Sequence, residues 1–313
     1  MTTSLNIIFM GTPEFAVPCL KALAASPHSV SLVVTRPDRP KGRGRKLTPP
    51  PVKLAAMEFG NTVVQPTSVK DPAFVDALKD VSPDVLVVVA FGSILPKAVL
   101  DIPRLGAVNI HPSLLPKYRG PSPIQWAIVC MEAETGVTSM FLDEGMDSGD
   151  MILAVKTPIY PEETAGELHD RLAVMGGDLL IETLEQVADG TAVATPQNDA
   201  DATFAPVLKK SHGRIDWHRS ADQIRAMING MNPWPGAFTF LGDKRLKIWK
   251  ASAVQTDSGA LPGTVVAGFP GEIRVAAGEN ILAITEIQGE SGKRLSAADF
   301  LRGVEIPEGS VLA

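Results

Sequence analysis

The sequence predicts an α/β chain in which a doubly wound, mostly parallel sheet is followed by a smaller all-β domain. Three observations lead there. Short β-branched runs alternate with helix-like segments as far as about Asp189. Several of those runs are apolar without alternation, as expected of parallel strands covered on both faces. Beyond residue 205 the pattern gives way to short strands separated by glycine-containing turns, which suits a small barrel or sandwich.

The expected strands of the first part are residues 5–10, 30–35, 62–65, 84–90 and 107–110, with a further strand at 136–142. The first helix should begin at Thr12-Pro13-Glu14, with Thr12 as cap, proline at the first helical position and an acid in the first turn. Other helices are expected over 51–59, 72–79 and 121–131, joined by right-handed crossovers. Residues 164–188 form a longer helical pattern in which Leu168, Leu172, Met175 and Leu179 make one apolar stripe. Gly176-Gly177 interrupts it at about 1 kcal/mol per glycine relative to alanine, which predicts a close backbone approach there. The polar stretch that follows reads as a linker, giving segments 1–189, 190–208 and 209–313. Strands are expected at 236–241, 245–251, 263–266, 273–276 and 281–288 in the last segment.

At 313 residues and 45% apolar content the chain can bury two cores. Cys19 and Cys130 form no CxxC pair and have no histidine cluster nearby, which argues against a disulfide framework or zinc and for a reducing compartment. The longest apolar run, Val85 to Phe91, is far too short to cross a bilayer, and no basic segment leads an apolar one at the N-terminus. A cytoplasmic protein without a membrane partner is expected, with a monomer as its state. The net charge of −6 hides an uneven distribution: residues 36–46 hold six basic groups and one acid, and residues 209–250 hold nine and three.

Three features fall where a doubly wound sheet places ligands, beyond the C-terminal ends of strands. In Asn109-Ile110-His111-Pro112-Ser113-Leu114-Leu115-Pro116, Asn109 and His111 are two apart and share one face of an extended chain. A donating amide beside an imidazole suits a developing oxyanion. Asp143-Glu144-Gly145-Met146-Asp147-Ser148-Gly149-Asp150 carries four acids without EF-hand spacing, and its glycines let the loop fold back so that one acid can reach His111. Ala90-Phe91-Gly92-Ser93-Ile94-Leu95 can form an apolar wall with exposed backbone groups around a flat ligand.

Together and in this order, Asn-x-His-Pro-Ser-Leu-Leu-Pro-x-Tyr-Arg-Gly at 109–120 and Asp-x-Gly-x-Asp-x-Gly at 143–149 resemble the 10-formyltetrahydrofolate-dependent formyltransferases over about residues 5–189. The resemblance implies a Rossmann-like catalytic domain, 10-formyltetrahydrofolate as co-substrate and no metal. It implies that Asn109 and His111 stabilise the tetrahedral oxyanion, while Asp147 supports the imidazole and assists proton movement from the attacking amine. Ser113, Leu114, Leu115 and Pro116 match the family's folate-contacting stretch. Phe91, Gly92, Ser93, Ile94 and Leu95, with Asp143, Glu144, Gly145 and Met146, would line the pterin pocket, largely through backbone groups.

The trio does not name the acceptor amine; related enzymes use glycinamide ribonucleotide, an amino sugar, or water. Residues 37–47 form a basic loop whose charges can neutralise phosphates. Its Gly42-x-Gly44 lacks a third glycine at Leu47, which disfavours a nicotinamide fingerprint. This loop, Phe9-Met10-Gly11-Thr12-Pro13-Glu14-Phe15, and Ile228-Asn229-Gly230-Met231-Asn232-Pro233-Trp234-Pro235-Gly236-Ala237 are similar to the branch of the family that formylates methionine on the initiator tRNA. That likeness implies a C-terminal barrel resembling the OB-fold and two RNA-facing sets. The first is Arg39, Lys41, Arg43, Arg45 and Lys46, led by Arg43. The second, weaker set is Lys209, Lys210, Arg214, Lys244, Arg245 and Lys247. The alternatives are a formyltransferase acting on a sugar amine and a catalytically silent RNA-binding protein on the same scaffold.

Overall fold

A computed structural model describes residues 4–41, 44, 46–290 and 292–313. The chain divides into two compact units, the first comprising the residues up to Pro123 together with Glu134–Thr157 and His169–Ala205. Its sheet has seven strands in the order β5-β2-β1-β6-β7-β8-β9. These are β1 (Asn6–Gly11), β2 (Ser29–Val34), β5 (Val63–Val64), β6 (Val85–Val89), β7 (Ala107–His111), β8 (Glu134–Phe141) and β9 (Met151–Pro158). β1 pairs in parallel with β2 and β6, β2 with β5 and β6 with β7, whereas β7 and β8 are antiparallel. The chain runs outward from β1 through β2 to β5 and then returns to β1's other side at β6. The topological switch point therefore lies at the C-terminal ends of β1 and β6.

Alternation on β1 sends Ile8 and Met10 to one face and Ile7 and Phe9 to the other, all fully buried. Ile8 and Met10 pack with Phe74 and Leu78 of α3 (Pro72–Val81) and Val99 of α4 (Lys97–Leu100). The long helix α6 (Ala165–Asp189) makes the close approach expected of its two glycines. A Cβ on Gly176 would stand 3.0 Å from Ile110 Cγ2, and one on Gly177 would stand 3.1 Å from Pro18 O. Only backbone fits between α6, β7 and α1 (Val17–Ala24) at that level.

Thr12 does not cap the first helix. The turn opens as a 3-10 segment, Glu14–Ala16, without a side-chain cap, and α1 follows it. Thr12 stands at the switch point, where the end of β6 offers a nearer acceptor, and its hydroxyl donates to Phe91 O at 3.1 Å. The helix expected over 121–131 is shorter, α5 (Pro123–Val129), because Ser122 N is drawn to Ala205 O at 3.3 Å. The basic loop is a two-stranded hairpin, β3 (Arg39–Lys41) with β4 (Lys46–Thr48), in the register Arg39↔Thr48 and Lys41↔Lys46.

The second unit comprises Ile124–Ala133, Pro158–Leu168 and Pro206–Ala313. Its curled antiparallel sheet runs β10 (Ala237–Leu241), β11 (Lys244–Val254), β14 (Ile281–Gln288), β13 (Ile273–Ala276), β12 (Val265–Val266), with β15 (Leu295–Ser296) beside β14. Residues 310–313, unassigned in the sequence reading, join its two edges: Phe240 and Ala313 exchange backbone bonds of 2.9 Å, and Leu312 bonds Gly263 at 2.8 Å. The helix α7 (Ala221–Gly230) is started by a capping box between Ser220 and Gln223 and lays Ile224 and Ile228 on a core with Trp217, Leu246, Ile248 and Leu282. Among the described residues no helix is long and apolar enough to cross a membrane.

The two thiols differ in kind. Cys19 is fully buried on α1, and burial first, then the charge of Asp178, pushes its thiol up to about 12. Cys130 is exposed. Alkylation of the native protein near neutral pH should modify Cys130 alone, and both thiols should react after denaturation. Mass spectrometry showing rapid native modification of Cys19 would contradict this packing.

Candidate active site

β7 sets out the centre by its period of two. Ile110 points toward α6 and is wedged at Gly176, so Asn109 and His111 are fixed on the opposite face. Register holds them further, with Asn109 between Val88 and Met140, and His111 beside Thr138. Asn109 is 7% exposed, and its carboxamide is bonded to no described group. His111 is 4% exposed, with Nε2 3.0 Å from Tyr118 O. A carbonyl only accepts, so Nε2 carries a hydrogen and the neutral ring keeps its lone pair at Nδ1. Nδ1 lies 3.7 Å from Asp147 Oδ2, too far for a direct hydrogen bond.

Asp147 reaches this position because its loop turns back on itself. Gly149 lies against Phe141 O with no room for a Cβ, and Phe141 N donates to Asp150 O at 2.9 Å. Asp143 is spent on the loop itself, accepting from Gly145 N at 2.9 Å and from Ser148 Oγ at 3.0 Å. Glu144 and Met146 lie exposed at the loop tip. Asp147 adopts a left-handed backbone (φ 52°), a conformation aspartate tolerates but which surrounding contacts must hold. Gly120 N donates to its Oδ2 at 2.7 Å, and Gln197 Nε2 donates to its carbonyl at 2.9 Å.

The expected ligand-lining residues sort into two groups. Phe91 and Leu95 are buried, whereas Gly92 (φ 82°) is exposed and Ile94 is 64% exposed. Arg36 bonds Ser93 Oγ and, at 3.4 Å, Gly92 O. Arg36, Phe91, Ser93 and Ile94 line a cleft of about 340 Å³ together with residues 66–70. In the other stretch Ser113 is fully buried, and its hydroxyl donates to Lys117 O at 2.6 Å. Thr138 clips this turn by donating to Ser113 O and accepting from Leu115 N. Leu114 lies over Gly136, where no Cβ fits, and Leu115–Pro116 is cis. Ser113 and Leu115 thus shape the turn, while Leu114 and Pro116 are its half-buried surface. Among the described residues no three His, Cys, Asp or Glu side chains converge as a metal site would need.

Of the hairpin set, Arg39 and Lys46 are exposed, Lys41 ends β3, and Arg43 and Arg45 lie outside the described residues. The hairpin's root is tied down by Asp38, which accepts from Lys53 Nζ at 2.9 Å and Gln65 Nε2 at 2.8 Å. Those bonds, Gln65's first, hold the Asp38 carboxyl below its usual range. In the second unit Lys209, Lys210 and Lys244 are exposed, and three of the predicted cations join aromatic rings on the outer face of β10 and β11. Arg245 stacks 3.7 Å from the Phe238 ring, Lys247 lies 5.3 Å from Trp249, and Arg214 lies 5.9 Å from Phe240. Phe238, Phe240, Trp249 and Arg294, the last 5.4 Å from Trp249, were missed by the sequence reading. Their signal was there, in aromatic and basic residues alternating out of phase with the apolar core positions. Gln197 and the Tyr118 carbonyl gave no such signal.

Comparison with known proteins adds an independent line. The family described as Formyl transferase matches residues 5–184, and Formyl transferase, C-terminal domain, matches residues 207–305. A methionyl-tRNA formyltransferase of Pelotomaculum thermopropionicum is 52% identical over 309 residues, 98% of each chain. One from Citrifermentans bemidjiense is 48% identical over 311 residues, 99% of this chain and 97% of its own. Among solved structures, WlaRD, a sugar 3N-formyltransferase, superposes with a TM-score of 0.68 at 17% identity, covering 93% of this chain and all of its own. HypX from Aquifex aeolicus in complex with tetrahydrofolic acid superposes with a TM-score of 0.66 at 20% identity over 96% of this chain, which spans about half (48%) of HypX. Matched in both of its parts and along nearly its whole length, the chain belongs to the formyltransferase family.

Proposed function

We propose that this protein transfers the formyl group of 10-formyltetrahydrofolate to the α-amino group of methionine on the initiator tRNA, acting in the cytoplasm as a monomer. The observation that carries the chemistry is the convergence of an unengaged Asn109 amide, an imidazole with a fixed Nε2 hydrogen, and the Asp147 carboxylate 3.7 Å from Nδ1. The acceptor is supported by full-length relatives named for methionyl-tRNA and by the two basic surfaces.

The folate co-substrate brings the formyl group on N10, and the exposed backbone of 92–94 and the 143–146 tip suit a flat ring. Asn109 donates its amide hydrogens to the formyl oxygen as negative charge develops there. His111, unable to rotate away from Tyr118 O, presents Nδ1 to the reacting atoms; once protonated there it donates to the same oxygen. Asp147 takes up the proton released by the attacking amine, directly or through a water, and that proton passes to N10 as the C–N10 bond breaks and tetrahydrofolate leaves. On the second unit Arg214, Arg245 and Lys247 meet phosphates, and the half-buried rings of Phe240 and Trp249 offer stacking platforms for RNA bases.

Following tetrahydrofolate release with methionyl initiator tRNA, methionyl elongator tRNA, an amino-sugar nucleotide or no acceptor tests the reading. Turnover should require the initiator tRNA; turnover with the sugar alone would move the protein to the sugar-amine branch. Asn109→Ala and His111→Ala should each lower kcat by roughly a hundredfold or more with folate affinity nearly unchanged. Near-normal kcat in either removes that residue from the chemistry. Arg43→Ala and Arg245→Ala should each weaken tRNA binding and reduce the salt slope of log K by about 0.7 to 0.9. An unchanged slope in either variant would sink that contact.

A further inference from the structure

The stretch from Thr195 to Ala205 is not slack chain. Thr195 and Met151 exchange backbone bonds of 2.9 and 2.8 Å at the start of β9. At the other end Arg119 N donates to Thr203 O at 2.9 Å, Ala205 N donates to Arg119 O at 2.8 Å, and Tyr118 N donates to Thr203 Oγ1 at 2.8 Å. Between these pins sits Gln197. Its Nε2 donates to Asp147 O at 2.9 Å and Gly149 O at 2.8 Å, and its Oε1 accepts from Arg119 Nε at 2.9 Å. That pattern admits one orientation of the amide, since two carbonyls can only accept and Nε can only donate. Arg119 itself is 6% exposed; its Nη2 stands 2.9 Å from Asp199 Oδ1 without an aligned hydrogen bond, leaving Gln197 as its well-formed partner.

The two loops that Gln197 joins are those that hold the imidazole from opposite sides. One carries Asp147, which faces Nδ1 from a left-handed backbone; the other carries Tyr118 O, which fixes Nε2, and Gly120 N, which orients the Asp147 carboxylate. We propose that Gln197 is a positioning residue for transfer: it keeps Asp147 and the Tyr118 carbonyl in register, and so sets both the tautomer of His111 and the distance from its Nδ1 to the Asp147 carboxylate. This rests on the reading of Asn109, His111 and Asp147 as the reacting trio. A glutamine is required chemically, because the position must donate to the 147–149 backbone and accept from Arg119 at once. Alanine does neither, and glutamate accepts without donating.

The test is steady-state kinetics of Gln197→Ala and Gln197→Glu with initiator methionyl-tRNA, together with the imidazole nitrogen resonances of His111, assigned by their loss in His111→Asn. Both variants should lower kcat by about tenfold to a hundredfold with KM for either substrate little changed, the cost expected of a misplaced catalytic group. The wild-type ring should give the Nε2-protonated tautomer and the variants a mixed population. Asn198→Ala, which alters only an exposed turn of the same strap, should match wild type in both readouts. Gln197→Glu keeps the side chain's size and its bond to Arg119, so it serves even if the alanine variant fails to fold. Normal kcat with an unaltered His111 tautomer in Gln197→Glu overturns the proposal, as does a rise in KM at constant kcat. Asp147→Asn separates the two readings: if it turns over normally the trio itself is wrong, and if it is inactive while Gln197→Glu is normal only this inference falls.

Discussion

The bond from His111 Nε2 to Tyr118 O decides what the rest of the centre can do. It is a 3.0 Å contact to a carbonyl, a group with no proton to exchange, so the ring is left with one chemically versatile nitrogen facing Asp147. Everything around it serves to keep that carbonyl in place. Ser113 and Thr138 knit the turn before it, the 195–205 strap backs the residues after it, and Gly120 returns from the same loop to hold Asp147. Remove the carbonyl's support and the ring gains a second orientation, with the donor and acceptor nitrogens exchanged.

The opposite face of β7 supplies the rigidity. Asn109 and His111 are aligned by the same pleat that drives Ile110 onto Gly176 of α6, so the catalytic face inherits its precision from a hydrophobic contact behind it. The glycine pair costs the helix about 1 kcal/mol per residue in propensity. What it provides is room for Ile110 where a Cβ on Gly176 would stand only 3.0 Å from its Cγ2, a packing tight enough that a twist of β7 meets resistance.

Much of this was legible in the sequence because it is carried by local rules. Period-two spacing put Asn109 and His111 together, glycine positions announced the folding back of 143–150, and the apolar runs gave the buried strands. Thr12 was misread as a cap because a capping threonine and one that bonds across a switch point look alike until the neighbouring strand is known. Gln197 was invisible for a related reason: its partners at 119, 147 and 149 are set by topology, and the residues around it show no periodicity. The stacked cations lay between. Arg214, Arg245 and Lys247 could be named from charge and the rings from their alternation, but which ring meets which cation could not, since only the pairing of β10 with β11 brings them together.

The backbone bonds made by residues 310–313 have a consequence for the order of folding. They join β10 to the neighbourhood of β12, strands separated from them by many tens of residues of sequence. A chain emerging N-terminus first completes every strand of the first unit by β9, and its last pinning segment by Ala205, long before the second sheet can be closed. Until then the edges of β10 and β12 stand open to other chains. The first unit is local enough to form early, whereas the second must wait for its final turn of sequence.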